Sequence, residues 1–162
     1  MRVLGIDPGF GITGYGMVEV TNGKPKLIEA GEIRSKTSLS LEKRLMELFR
    51  GLEDVSEELK PDVMSVEDLY SHYSHPKTAV IMGHARGVLF LAAAEKNIPV
   101  FSYSATRIKK SLTGNGRATK EQVSRMVSGL LGLDEIMDRP DVTDALAAAL
   151  CHINSVFHGG VH

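Results

Sequence analysis

The alternation of hydrophobic and polar positions divides the chain into short strands at the start and amphipathic helices after them. Interleaved apolar and small residues over Arg2 to Asp7 and over Thr13 to Val20 predict two strands. The Asn-Gly turn within Thr21 to Pro25 joins the second strand to a third over Lys26 to Arg34. Apolar positions then recur at helical spacing from Leu41 to Leu59, until a Lys-Pro pair ends the predicted helix.

Two more strands and four more helices are predicted in the rest of the chain. The strands are short apolar runs, Asp62 to Asp68 and Ile98 to Tyr103, as expected inside a sheet that is covered on both faces. Close packing is expected at a small-residue stripe formed by Ala79, Gly83 and Gly87. The helices are predicted over Lys77 to Lys96, from Ser104 to about Leu112, from about Thr119 to Leu131, and from Pro140 to about Val156.

The resulting order, β-β-β-α-β-α-β-α-α-α, predicts an α/β fold with a mixed five-stranded sheet and helices on both faces. No linker, repeat or low-complexity tract interrupts residues 1–158, so a single domain accounts for them. Residues 159–162 are expected to form a loose tail.

Cysteine content and hydropathy narrow the expected location of the protein. The single cysteine, Cys151, excludes an intramolecular disulfide and a Cys-cluster zinc site, which fits the reducing cytoplasm. The longest apolar run, Val88 to Ala94, is too short to span a bilayer, so no membrane association is expected.

Charge is distributed unevenly, although the net charge is only −1. Six basic residues and no acids lie between Lys96 and Lys120, whereas Glu42 to Glu58 holds six acids against three bases. A solvated face accounts for such a cluster as well as a binding surface does, so charge alone leaves both interpretations open.

Four carboxylates occupy positions at which the predicted fold can bring them together. Asp7 ends the first strand and Glu67 the fourth, while Asp141 and Asp144 lie one turn apart on the last helix. If the two strands are neighbours and the alanine-rich face of the helix packs on them, all four acids meet at one sheet edge. Two unit charges about 4 Å apart repel by roughly 4 kcal/mol at an effective dielectric near 20, so such a cluster needs protons or cations.

The chemistry of these carboxylates indicates a nuclease, although a simpler role stays open for each of them. Hard oxygen ligands favour Mg²⁺ or Mn²⁺, and two such ions clamp a phosphodiester while activating a water for in-line attack. Asp141 and Asp144 would also be stabilised by the dipole at a helix N-terminus. Asp7 and Glu67 would equally suit a tight turn and a solvated strand end.

Several separate motifs follow one another in the order found in one family. They are "GIDPG" with "TGYG", "VED", "GHARGV", "LTGNGRATKEQV" and "RPDVTDALAAAL". Over nearly its full length the chain thereby resembles the RuvC-type Holliday-junction resolvases, bacterial endonucleases with a ribonuclease H-like fold. The resemblance implies resolution of four-way DNA junctions by paired symmetric nicks that leave 5′-phosphate and 3′-hydroxyl ends, in recombination and repair.

The resemblance also implies metal ligands, DNA contacts and partners. Asp7, Glu67, Asp141 and Asp144 fall on the family's catalytic metal ligands, for Mg²⁺ expected as two ions per site, with Mn²⁺ as a substitute. A homodimer is implied, as is a branch-migration motor complex of the RuvA and RuvB type. The residues expected to contact DNA are Tyr70, by stacking on a base, and the basic residues Arg107, Lys109, Lys110, Arg117 and Lys120.

Some positions depart from the family pattern or fit another kind of site. Val142 and Thr143 stand where relatives commonly have alanines, which is expected to leave the acids in place but to alter the local packing. The spacing of His72 and His75 suits a transition metal, yet two histidines without further ligands are more often solvated or in contact with DNA. His84 is expected at the edge of the core.

Two other functions have to be weighed against the nuclease. An ATPase domain of the actin and heat-shock-chaperone type shares the first strand and its glycine turn, but it needs a second lobe that 162 residues are too few to contain. It also lacks an acid pair like Asp141 and Asp144. A junction-binding protein without catalysis is disfavoured because all four acids are present.

Overall fold

The computed structural model describes residues 1–68, 76–134 and 139–157, and within them it has five strands and five helices. The predicted order is confirmed, and element ends differ from the prediction by no more than two residues. The elements are β1 (Arg2–Asp7), β2 (Ile12–Thr21), β3 (Lys24–Arg34), α1 (Leu41–Leu59), β4 (Val63–Glu67), α2 (Pro76–Glu95), β5 (Val100–Tyr103), α3 (Ala105–Thr113), α4 (Lys120–Leu131) and α5 (Pro140–Phe157).

The five strands form one mixed sheet in the order β3-β2-β1-β4-β5. β1 pairs antiparallel with β2 and parallel with β4, so the first and fourth strands are neighbours. Asn22 and Gly23 have φ angles of 54° and 75°, which the tight turn between β2 and β3 requires and which Asn and Gly adopt most readily.

Each face of the sheet carries its own hydrophobic core, because successive side chains of a strand point to opposite faces. Leu4 and Ile6 of β1 pack with residues of α1 and α2, whereas Val3 packs with residues of α3, α4 and α5. The predicted helices on both faces are therefore confirmed.

Glycines in β1 and β2 let α5 lie with its backbone directly on the sheet. A Cβ atom at Gly5 would lie 1.9 Å from the carbonyl oxygen of Ala145, and one at Gly14 would lie 2.1 Å from that of Asp141. Any side chain at these two positions would lift the helix. On β4, the buried Ser65 hydroxyl donates a hydrogen bond of 2.7 Å to the Ala148 carbonyl and holds the middle of α5 in place.

The small-residue stripe of α2 does not face the core, so the expected close packing there is absent within the described chain. Nothing lies within 4 Å of a Cβ atom built at Gly83 or Gly87. His84 between them is exposed, which makes its predicted place at the core edge wrong. Val80 and Leu91 on the same side are 58% and 62% exposed. Cys151 is buried.

Candidate active site

Asp7 and Glu67 lie side by side at one edge of the sheet. Ile6 is paired with Val66, so the next residue of each parallel strand, Asp7 and Glu67, ends its strand at the same level. Both acids point to the face covered by α5, because each follows by two positions a residue that contacts that helix, Gly5 or Ser65.

The first turn of α5 lies over the same edge. Gly14 of β2 is the antiparallel partner of Asp7, and the backbone of Asp141 rests on Gly14. Asp144 follows one turn later and is partly buried like the other three acids. The ends of β1 and β4 and the start of α5 therefore lie at the same edge of the sheet, as expected if the two strands are neighbours.

The carboxylates act on one another strongly. Burial, followed by the charges of Asp144, Glu67 and Asp141, raises the pKa of Asp7 to about 8, against an opposing effect of Lys120. Burial and the charge of Asp144 also raise the pKa of Glu67. Burial and the neighbouring acids thus make ionisation of these carboxyl groups unfavourable, as is common at functional sites.

Two lysines supply positive charge at the acidic edge. The Nζ atom of Lys120 lies 3.0 Å from Oδ2 of Asp144, and this hydrogen bond raises the pKa of the lysine. A capping box between Thr119 and Gln122 begins α4 immediately before Lys120 and so fixes its backbone. Lys109 of α3 is close enough to lower the pKa of Glu67.

The donor chemistry of the site fits a hard divalent cation, although its side chains are not closed into a ligand group. In the part of the chain that the structure describes, no three or more His, Cys, Asp or Glu side chains are grouped closely enough to hold a metal ion. The Lys120 ammonium occupies Asp144, and ionised carboxylates brought closer together without a cation would repel one another. A cation would offset both the burial and the charge repulsion that raise the pKa of Asp7.

The remaining basic residues predicted to bind DNA lie on α3 and on the loop that follows it. Arg107, Lys110 and Arg117 are exposed, and the Arg107 guanidinium lies 4.9 Å above the Tyr103 ring. Asn115 accepts a hydrogen bond of 2.9 Å from the Arg117 backbone and shapes the loop. Tyr70, His72 and His75 lie outside the described residues, so their predicted roles are not tested.

Three features of the site have no clear signal in the sequence. The Arg44 guanidinium stacks 3.7 Å above the Phe10 ring and donates a hydrogen bond of 3.2 Å to the Phe10 carbonyl, which holds the loop after Asp7. Arg86, within the "GHARGV" motif, lies 3.1 Å from Asp68 and so fixes the residue after Glu67. The third feature is an ion pair between Glu32 on β3 and Arg139, the residue before α5. Such contacts join segments far apart in the chain, and periodicity does not reveal them.

The five-stranded sheet and its carboxylate edge place the chain among the nucleases with a ribonuclease H-like fold. Residues 3–152 match the model of the family described as crossover junction endodeoxyribonuclease RuvC, and the chain belongs to that family. The family description makes it a crossover junction endodeoxyribonuclease. This assignment favours the nuclease over the ATPase alternative.

Relatives with known sequences or structures agree with the family. The crossover junction endodeoxyribonuclease RuvC of Caldicellulosiruptor saccharolyticus is 45% identical over 156 residues, which are 96% of this chain and 93% of the relative. The structure of Thermus thermophilus RuvC is 32% identical, with a TM-score of 0.90 over 98% of this chain and 97% of that one. The same protein in complex with a Holliday junction substrate gives a TM-score of 0.92 over 98% and 96%.

Proposed function

We propose that the chain is a homodimer that cuts four-way DNA junctions by paired symmetric nicks, in a Mg²⁺-dependent reaction that leaves 5′-phosphate and 3′-hydroxyl ends. The observation that carries the proposal is the meeting of Asp7 and Glu67 with the first turn of α5. We further propose that one domain over residues 1–158 contains the whole activity.

Asp7, Glu67, Asp141 and Asp144 are the residues that would hold Mg²⁺, with two ions per site and Mn²⁺ as a substitute. The bound ions would supply a nucleophilic water and stabilise charge on the phosphate. The chain's own contribution is to fix the carboxylates on a rigid sheet and a backbone-packed helix, which limits their movement. The raised pKa of Asp7 supports this role, because a site that repels its own charge favours a cation.

Lys120 and Lys109 would act on the phosphate next to the acids. Lys120 neutralises Asp144 in the absence of a cation, and we infer that it turns to the scissile phosphate once the acids bind Mg²⁺. The position of Lys109 near Glu67 fits contact with the same phosphate.

DNA affinity would come mainly from the exposed basic residues of α3 and the following loop. Arg107, Lys110 and Arg117 would neutralise backbone phosphates, which gives binding that weakens with salt and carries little sequence information. Tyr70 would stack on a base near the junction centre, as the resemblance implies. The Thermus thermophilus relative solved with a Holliday junction supports DNA of this shape as the substrate.

The exposed side of α2 supports the proposed homodimer. Val80, Gly83, Gly87 and Leu91 form an apolar, small-residue face that the described chain leaves uncovered. A second copy can cover it with the same face across a two-fold axis, and a four-way junction with two matching cleavage sites needs that symmetry. No described helix is long and apolar enough to cross a membrane. We also propose that the protein works in the cytoplasm and that it acts together with a branch-migration motor complex of the RuvA and RuvB type.

Cleavage of a synthetic four-way junction beside a linear duplex of the same sequence tests this function. The wild-type protein is expected to nick the junction symmetrically in Mg²⁺ and to leave the duplex intact. Asp7→Asn is expected to bind the junction with unchanged affinity and not to cut it. Equal cutting of both substrates, or full activity of Asp7→Asn, would refute the proposal.

A further inference from the structure

An ion pair joins the start of α5 to a strand on the far side of Asp7. Nη2 of Arg139, the residue before α5, lies 3.2 Å from Oε1 of Glu32 on β3. The Glu32 side chain is only 13% exposed, whereas that of Arg139 is 50% exposed. The Glu32 carboxylate is thus largely buried, and the Arg139 side chain extends to it from the surface.

The register of the sheet places this ion pair in one row with the acidic edge. Glu32 pairs with Gly14, and Gly14 pairs with Asp7. Paired residues point to the same face of the sheet, so Glu32 and Asp7 flank Gly14, which has no side chain there. The backbone of Asp141 rests on Gly14, which places the first turn of α5 between the two carboxylates.

Arg139 is held through its backbone as well as through its side chain. Its carbonyl oxygen accepts a hydrogen bond of 2.9 Å from the Thr143 amide and a second of 3.0 Å from the Thr143 hydroxyl. The side chain of Thr143 is buried, so the second bond is shielded from water. An alanine at position 143 would keep the first bond and lose the second.

We propose that Glu32, Arg139 and Thr143 are positioning residues that anchor the first turn of α5 and thereby set the distance of Asp141 from Asp7. Arg139 is two residues before Asp141, so a shift of its backbone moves the acid directly. None of the three side chains needs to touch metal or DNA. The effect on cleavage rests on the proposed function, whereas the anchoring of the helix does not.

Substitutions that keep size and remove charge test the anchor. Glu32→Gln and Arg139→Gln each break the ion pair, and Arg139→Lys retains the charge as a conservative rescue. Arg34→Gln is the matched control, because Arg34 also contacts Glu32 but lies on β3 and leaves the contact with α5 intact. All four variants keep the hydrophobic cores unchanged.

Hydrogen exchange of the Thr143 amide, followed by NMR, reports the anchor without any need for catalysis. The exchange rate is expected to rise roughly threefold to fivefold in Glu32→Gln and Arg139→Gln, to rise less in Arg139→Lys, and to match wild type in Arg34→Gln. In junction cleavage, kcat is expected to fall in the first two variants with KM unchanged. In the same two variants, the Mg²⁺ concentration that gives half of the maximal thermal stabilisation by Mg²⁺ is expected to rise.

The possible outcomes separate the anchor from the proposed function. Wild-type exchange at Thr143 in both Glu32→Gln and Arg139→Gln would overturn the anchor. Faster exchange with unchanged kcat and unchanged Mg²⁺ dependence would overturn its role in positioning Asp141. Faster exchange in a protein whose wild type does not cut junctions would uphold the anchor and refute the proposed function.

Discussion

The Lys120 ammonium lies 3.0 Å from Oδ2 of Asp144 and provides a positive charge within a group of carboxylates that repel one another. A divalent cation would compete with this lysine for the same carboxylate. Binding of metal and release of Lys120 are therefore expected to be coupled, which ties the position of a lysine that we propose to contact DNA to the occupancy of the acids.

Lys120→Met is expected to change metal binding and cleavage in opposite directions. Loss of the competing ammonium should lower the Mg²⁺ concentration for half-maximal thermal stabilisation by about twofold to fivefold. Loss of a charge at the phosphate should lower the nicking rate at least about tenfold. Lys110→Met, which removes an exposed lysine of α3, is the control and should leave metal binding unchanged. Weaker Mg²⁺ binding in Lys120→Met would contradict the competition.

Asp7→Asn is expected to stabilise the metal-free protein at high pH. The pKa of Asp7 rises from 3.8 to about 8 on folding, so between these values the unfolded chain releases a proton that the folded protein keeps. Stability from this group is full below pH 3.8 and is lost as the pH rises through about 8. Urea unfolding in EDTA at pH 8 should show a gain on the order of a few kcal/mol for the variant.

Two further measurements bear on the same acid. The gain should shrink as the pH is lowered toward 4, and Mg²⁺ at pH 8 should stabilise wild type far more than Asp7→Asn. Asp54→Asn, at an exposed position of α1, is the matched control and should follow the wild-type pH dependence. Identical pH profiles for wild type and Asp7→Asn would show that Asp7 titrates normally.

Gly14→Ala is expected to displace the start of α5. The added Cβ atom would lie 2.1 Å from the Asp141 carbonyl oxygen, so the helix must move away from the sheet. Overpacking of this kind lowers stability by about 1–3 kcal/mol, and nicking should be lost with it. Gly129→Ala, an exposed helix position with nothing within 4 Å, is the control and should be neutral or stabilising. Wild-type cleavage by Gly14→Ala would mean that the acids tolerate a displaced helix.

Leu91→Glu is expected to separate the proposed dimer. Leu91 is 62% exposed on the apolar side of α2, and a charge there would face its own copy across the two-fold axis. Sedimentation equilibrium should show a monomer, and any remaining cleavage should consist of single, uncoupled nicks. The control Leu130→Glu changes a leucine of α4 that is 40% exposed and should leave the oligomeric state unchanged. A monomeric wild-type protein would contradict the dimer itself.

The order of the elements follows from the sequence because it depends on local patterns, whereas the pairing of β1 with β4 joins distant segments and enters the sequence argument only as a condition. Helix caps, the Asn-Gly turn and apolar spacing act within a few residues of the chain. The places of Asp7 and Glu67 at strand ends follow once those strands are located. The exposure of Gly83 and the pairing of Glu32 with Arg139 depend instead on which faces meet in three dimensions. Small residues on a helix indicate close approach of a neighbour, but they do not say whether it belongs to the same chain.

The glycines at positions 5 and 14 have an evolutionary consequence. Since α5 contacts the sheet there through main-chain atoms, its height above β1 and β2 does not depend on the size of interdigitating side chains at these positions. Core residues elsewhere on the sheet can therefore be exchanged for others of different size without a change in the separation of the helix from the strands at these two positions. The separation at the sheet edge that carries the acids is thus set by two missing side chains and not by the packing of the surrounding core.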